Sequence, residues 1–108
     1  MEKGLWENIL KMFEDDIDKT EWINAIADYF SDQEILRIDG FDNAVIGWTD
    51  SWINGNRPVR LIYDAEDIIQ IIVNQHGMTE EEAWEYYSFN IIGSYMGEGT
   101  PIFMNREI

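Results

Sequence analysis

Cysteine is absent from this chain of 108 residues, and histidine occurs once, as His76. These absences exclude disulfide bonds, thiolate zinc sites, cysteine nucleophiles and any multi-histidine metal site within one chain. Long apolar runs are also absent, since the longest candidate, residues 68–73, falls far short of the ~20 residues that cross a bilayer. No apolar segment of the secretory type follows Met1, so we expect a cytoplasmic protein.

Basic residues are scarce. Seven Lys and Arg face 22 Asp and Glu, which gives a formal net charge of −15 at pH 7. Such a chain repels nucleic-acid phosphates and anionic membrane surfaces, so we expect direct binding to neither. It is attracted to basic protein surfaces, although solubility alone also explains an acidic composition.

Hydrophobic residues make up 45% of the chain and aromatic residues 14%. This content excludes intrinsic disorder and can support a packed core. The length suits one compact domain and is too short for two. We therefore expect a single domain over 1–108, with a helical N-terminal part over 1–32 and the remaining core over 34–108.

Four helices are predicted from apolar periodicity and end signals. Amphipathic stripes predict helices over 4–13 and 20–30. An N-cap aspartate and a following glycine bound a third helix over 65–76. A capping box of Thr79 and Glu82 opens a fourth over 80–92. The short connection between the last two predicts a tight αα-hairpin.

Strand patterns occupy the middle and the end of the chain. Alternating or β-branched runs predict strands over 35–38, 44–48 and 59–63, and 100–104 adds an edge strand. The second and third should pair as an antiparallel hairpin around a loop over 49–58. The predicted fold is α+β: a small, mainly antiparallel sheet of three to four strands with about four helices.

Trp48 and Trp52 bracket that polar loop. Exposed aromatic residues in loops are enriched at protein interfaces, so Trp52 is a candidate binding anchor. The alternative is a tryptophan that folds back over the edge of the sheet.

Asn90 is a polar residue on the apolar face of the fourth predicted helix, and it must be paired if it is buried. We expect it to bond the backbone of residues 40–42, with a ligand contact as the alternative. A ligand pocket would then lie near Asn90, Tyr63 and Asp42. Arg60 is the best cation for an anionic nucleotide there, although an ion pair with an acid is its ordinary role.

No catalytic constellation is visible. His76 lies in the last turn of its predicted helix, where a cation suits the helix dipole. Asp15, Asp16 and Asp18 lack the glycine and closing glutamate of a calcium loop. No glycine pattern matches a phosphate-binding loop. We therefore expect neither an enzyme nor a bound cofactor or metal.

Several segments of the second half resemble a family of small uncharacterised proteins that are encoded mainly by tailed bacteriophages and prophages. They are GFDNAVIG at 40–47, IYD at 62–64, GMTEEEAWEY at 77–86, FNIIGSYMG at 89–97 and TP at 100–101. The resemblance covers about residues 40–103. It implies a phage protein acting on host machinery, and it implies no activity or catalytic residues.

Two functions follow as expectations. The first is a small acidic phage-type protein in the bacterial cytoplasm that inhibits or modulates a basic host protein, such as a nucleic-acid-handling or defence protein. The alternative is an oligomeric module that sequesters a small ligand such as a nucleotide.

Overall fold

The computed structural model describes residues 19–94 and 96–106. Its regular elements, in chain order, are α1 (Lys19–Tyr29), β1 (Val45–Thr49), β2 (Arg60–Asp64), α2 (Ala65–His76), α3 (Glu80–Tyr87) and β3 (Ile102–Met104). The predicted α+β class is confirmed. None of the described helices is long and apolar enough to cross a membrane.

The three strands form one sheet in the order β1-β2-β3. β1 and β2 pair antiparallel, with Val45 opposite Tyr63, which confirms the predicted hairpin. β3 pairs parallel to the other edge of β2, with Ile62 opposite Ile102. The sheet is therefore mixed, and the prediction of a mainly antiparallel sheet is wrong for the second pair. The reason is the connection: α2 and α3 form a crossover, which returns the chain in the direction of β2.

The strand predicted over 35–38 is not formed. Residues 34–38 carry no regular structure. The Ile38 amide donates a hydrogen bond of 2.9 Å to the Tyr63 hydroxyl instead of to a neighbouring strand. The Tyr63 side chain of the central strand β2 therefore holds residues 35–38 in place. The sequence pattern alone favours backbone hydrogen bonds to a neighbouring strand there.

α1 begins and ends within one residue of its prediction, both ends of α2 are as predicted, and α3 begins at the predicted residue. The Asp64 carboxylate accepts from the Asp67 amide at 3.1 Å, and Gly77, with φ of 64°, ends α2. Thr79 and Glu82 form the reciprocal capping box, with bonds of 3.0 and 3.2 Å. These bonds from Thr79 hold the pKa of Glu82 below its ordinary value.

The fourth predicted helix is only partly regular. α3 ends at Tyr87, and residues Ser88–Ile92 continue as a π-helical turn. The helix predicted over 4–13 lies outside the described residues. The described chain therefore contains three α-helices, where the sequence predicted about four.

The core draws on every described helix and on the central hairpin. Val59, Leu61 and Tyr63 are all buried, as their alternation predicted. The other large buried residues are Trp22, Ile23, Ile26, Val45, Ile68, Ile69, Ile72, Tyr87 and Ile91. The Phe103 ring of β3 contacts both Tyr63 and Tyr87, with centroid distances of 5.8 and 5.9 Å. β3 thus closes the sheet against α3.

The two buried tyrosines allow a matched test. The Tyr63 hydroxyl accepts from Ile38, whereas the Tyr87 hydroxyl has no hydrogen-bond partner in the described part of the chain. We expect Tyr63→Phe to lower the free energy of unfolding by about 1–2 kcal/mol, because it leaves a backbone amide without its acceptor. Tyr87→Phe should be neutral or stabilising. Urea titrations of both variants measure this, and equal losses would contradict the assignment.

Candidate functional site

The loop between β1 and β2 ends in a tight two-residue turn. Ile53 and Asn56 exchange backbone hydrogen bonds of 2.7 and 2.9 Å. Asn54 and Gly55 between them both have positive φ, at 48° and 83°. This is the type I′ turn that suits the twist of a hairpin. We call residues 50–57 the hairpin tip.

Trp52 lies on the hairpin tip with 70% of its surface exposed, so the alternative of a tryptophan that folds back over the edge of the sheet is wrong. The Arg57 guanidinium lies 5.6 Å from the centroid of the indole ring. Arg57 also donates to the Asp50 carboxylate at 2.7 Å and to the Asp50 carbonyl at 3.2 Å. The exposed indole is therefore positioned before any partner arrives, which reduces the entropy lost on binding.

Trp48 does not join Trp52 in one surface. It is half-buried and packs edge-to-face on Phe30, with a centroid distance of 5.3 Å. Its aromatic surface is therefore used to pack β1 against the end of α1.

An open cavity of about 430 Å³ lies beside the hairpin tip. Its lining residues are Gln33, Asn56, Arg57, Pro58 and Glu98. We call it the hairpin cavity. Two of these residues belong to the hairpin tip itself, so the cavity and the exposed indole are parts of one region.

The Asp42 carboxylate joins several segments of the fold through hydrogen bonds. Its Oδ2 atom accepts from the Thr20 hydroxyl and from the Arg37 guanidinium, both at 2.7 Å. Arg37 also donates to Asn24 at 2.9 Å. These bonds fasten α1 to the short 3₁₀ turn Asp42–Ala44. The carboxylate proposed as a ligand contact therefore holds two segments of the fold together.

Tyr63 and Arg60 are likewise engaged within the fold. Tyr63 is fully buried, and burial raises the pKa of its hydroxyl, partly offset by the hydrogen bond from Ile38. Arg60 donates to the Thr100 carbonyl at 2.6 Å, and no ion pair of Arg60 with an acid is found within residues 19–94 and 96–106. This bond fixes the segment that leads into β3.

Asn90 has neither the burial nor the hydrogen-bond partner that the sequence predicted. It is exposed, and its side chain donates to the Tyr86 carbonyl of the preceding turn at 3.1 Å rather than to the backbone of residues 40–42. The buried positions of this helix are Ala83, Tyr87 and Ile91, at a spacing of four, so Asn90 falls on the outer side. Asn90 does line a second cavity of about 190 Å³, together with Arg37.

Sequence reasoning missed an apolar surface at the end of the αα-hairpin. Phe89 is 82% exposed and Ile92 is 52% exposed, and Tyr86 lies one turn before them. We call these three residues the helix-end strip. The four-residue spacing of the buried positions was the signal available in the sequence, because it leaves Phe89 and Ile92 outside the core. Tyr86 stacks on His76, with ring centroids 6.3 Å apart.

Acidic residues do not gather into a metal site in the part of the chain that the structure describes. No group of three or more His, Asp or Glu side chains there could hold an ion. Asp15, Asp16 and Asp18 lie outside the described residues.

Comparisons with protein-family models, with curated proteins and with solved structures find no match to this chain. Functional inference therefore depends on the surfaces described above.

The different roles of Asp42 and Asn90 give a second prediction. We expect Asp42→Ala to lower the free energy of unfolding by about 1 kcal/mol, because it removes the acceptor of Thr20 and Arg37 at a partly exposed site. Asn90→Ala should change it by less than about 0.5 kcal/mol, since the side chain is exposed. Thermal and urea unfolding of the two variants measure the difference. A larger loss for Asn90→Ala would indicate that Asn90 is a core residue after all.

Proposed function

We propose that this chain is a small acidic phage-type binding protein that inhibits or modulates a host protein with a basic surface. The observation that carries the proposal is the helix-end strip, in which Phe89 is 82% exposed on a chain of net charge −15. Aromatic and large aliphatic residues that are left exposed together commonly mark protein interfaces.

The surroundings of the strip indicate the chemistry of its partner. Residues 80–92 contain no Lys or Arg. Their four acids, Glu80, Glu81, Glu82 and Glu85, are all exposed. A complementary surface would place an apolar pocket for Phe89 beside Lys and Arg side chains. Such charge complementarity accelerates association and makes it depend on salt.

The phage origin and the host target in this proposal are inferred from the resemblance of residues 40–103 to small phage proteins. The engagement of Asp42, Tyr63 and Arg60 within the fold favours binding through an exposed surface over the small-ligand pocket expected near these residues. Proteins that handle nucleic acid carry basic grooves, so they are the class of partner that this charge suits best.

The test is affinity capture from bacterial lysate with the full chain, at about 50 mM and about 300 mM salt, followed by mass spectrometry. We expect one stoichiometric basic partner whose capture falls at the higher salt. Phe89→Ala should weaken binding to the purified partner by roughly tenfold or more, because a buried aromatic anchor is removed. Adding the wild-type chain should lower the partner's own activity.

Met104→Ala is the matched control, since Met104 is also a large exposed side chain but lies on β3. It should bind like the wild type. Trp52→Ala tests the anchor proposed from the sequence in the same assay. Equal binding by the Phe89 and Met104 variants, or capture that is insensitive to salt, would contradict the proposal.

A second candidate is sequestration of a small anionic ligand at the cavity lined by Arg37 and Asn90. Its volume of about 190 Å³ lies below the range of roughly 300–1,000 Å³ typical of ligand pockets. Arg37 is also already bound to Asp42. If this function holds, about 1 mM ATP should raise the thermal unfolding midpoint, and Asn90→Ala should reduce the shift. No shift across a nucleotide panel would reject it.

A further inference from the structure

One face of the sheet turns away from the core. Leu61 and Tyr63 of β2 are buried, so Ile62 between them points to the opposite face. Ile62 pairs with Ile102 of β3, which places the two isoleucines side by side there. Both are partly exposed, and neither packs against the core of the described residues. We call the face that carries Ile62 and Ile102 the outer face.

β1 adds a shallow depression to the outer face. Gly47 pairs with Ile62, and a Cβ atom built on Gly47 would lie 3.7 Å from Ile62 Cδ1. The Ile62 side chain therefore borders a position where β1 has no side chain. Ile46, the residue before Gly47, is also partly exposed and does not pack against the described core. The centre of the outer face is thus apolar, with room beside Ile62 for a large side chain.

An apolar sheet face is stable when another element covers it. A face left open to water normally carries polar residues at alternate positions, whereas Ile62 and Ile102 are apolar. Each of the three described helices contributes its buried residues to the core on the other side of the sheet. The described helices therefore do not supply the cover.

The 18 residues before α1 contain an apolar stripe of suitable length. Their spacing predicts a helix over 4–13. The stripe consists of Leu5, Trp6, Ile9, Leu10 and Phe13. A helix of this length extends about 15 Å, close to the ~17 Å of a five-residue strand. The stripe therefore matches the length of the outer face.

The described chain begins beside an edge of the sheet. Lys19 Nζ donates to the Asn43 carbonyl at 2.9 Å, and the Thr20 hydroxyl donates to Asp42 at 2.7 Å. Both acceptors belong to the 3₁₀ turn that leads directly into β1, an edge strand. Residues 14–18 span up to ~17 Å when extended, which exceeds the ~10 Å between packed layers. The stripe therefore reaches the outer face around the edge of β1.

We propose that the apolar stripe of residues 4–13 packs on the outer face of its own chain, with an aromatic ring in the depression at Gly47. Charge favours this occupant over a second copy, because a second copy brings a net charge of −15, whereas residues 1–18 contain six acids and two lysines. The covalent connection also removes the entropy cost of bringing two molecules together. The contact uses no residue of the helix-end strip, so it is independent of the proposed function.

The test is a nuclear Overhauser spectrum of the full chain, labelled with ¹³C at the isoleucine δ1 methyl groups. We expect cross-peaks from the Ile62 and Ile102 methyl groups to ring protons of Trp6 or Phe13. A mixture of labelled and unlabelled chains separates contacts within one chain from contacts between two. Cross-peaks between chains would assign the outer face to a second copy and overturn the proposal. The absence of cross-peaks from both methyl groups to residues 4–13 would overturn it as well.

A matched pair of variants tests the apolar contact itself. Ile9→Glu should lower the thermal unfolding midpoint and remove the cross-peaks at Ile62 and Ile102, because a charge replaces an apolar side chain in the contact. Asn8→Glu makes the same change of net charge on the adjacent residue, outside the stripe, and should keep both. Equal losses in the two variants would show general charge repulsion and overturn the proposal. Unchanged cross-peaks in Ile9→Glu would also overturn it.

Discussion

The fold depends on the end of β2, where Asp64 is completely buried with both carboxylate oxygens in use. Oδ1 accepts from the Asp67 amide and caps α2, and Oδ2 is in ion-pair contact with Arg106, which follows β3. A carboxylate is stable in such surroundings only when it is paired. One side chain therefore fixes both the start of the αα-hairpin and the return of the chain beside β2. The hairpin with β1, the crossover and the parallel β3 all meet at this strand.

Polar side chains at the places where the sequence suggested a ligand site are likewise paired within the fold. Asp42 holds α1, Tyr63 holds the irregular segment at Ile38, and Arg60 holds the Thr100 carbonyl. A sheet of three strands leaves long connections, and their backbone groups need partners because a buried unpaired group is destabilising. Polar side chains that could otherwise meet a ligand are used to satisfy and position these connections.

Two surfaces remain available to a partner, and they differ in chemistry. The hairpin tip offers an exposed indole on a tight turn beside a polar cavity. The helix-end strip offers apolar side chains that follow an acidic helix. The hairpin tip offers one large aromatic side chain, and the strip offers several apolar side chains that could bury area against a protein. A strongly acidic chain favours cationic partners at both.

The sequence alone determined those elements that depend only on residues close together in the chain. The capping box of Thr79 and Glu82, the glycine after α2 and the Asn-Gly turn act within a few residues, so their positions follow directly from the printed chain. The alternation of Val59, Leu61 and Tyr63 likewise determined the buried face of β2. Tertiary structure alone decided that residues 35–38 form no strand and that β3 runs parallel. Each of these depends on a contact between residues far apart in sequence, such as Ile38 with Tyr63, and no local pattern encodes which distant group will satisfy a backbone amide or cover an apolar side chain.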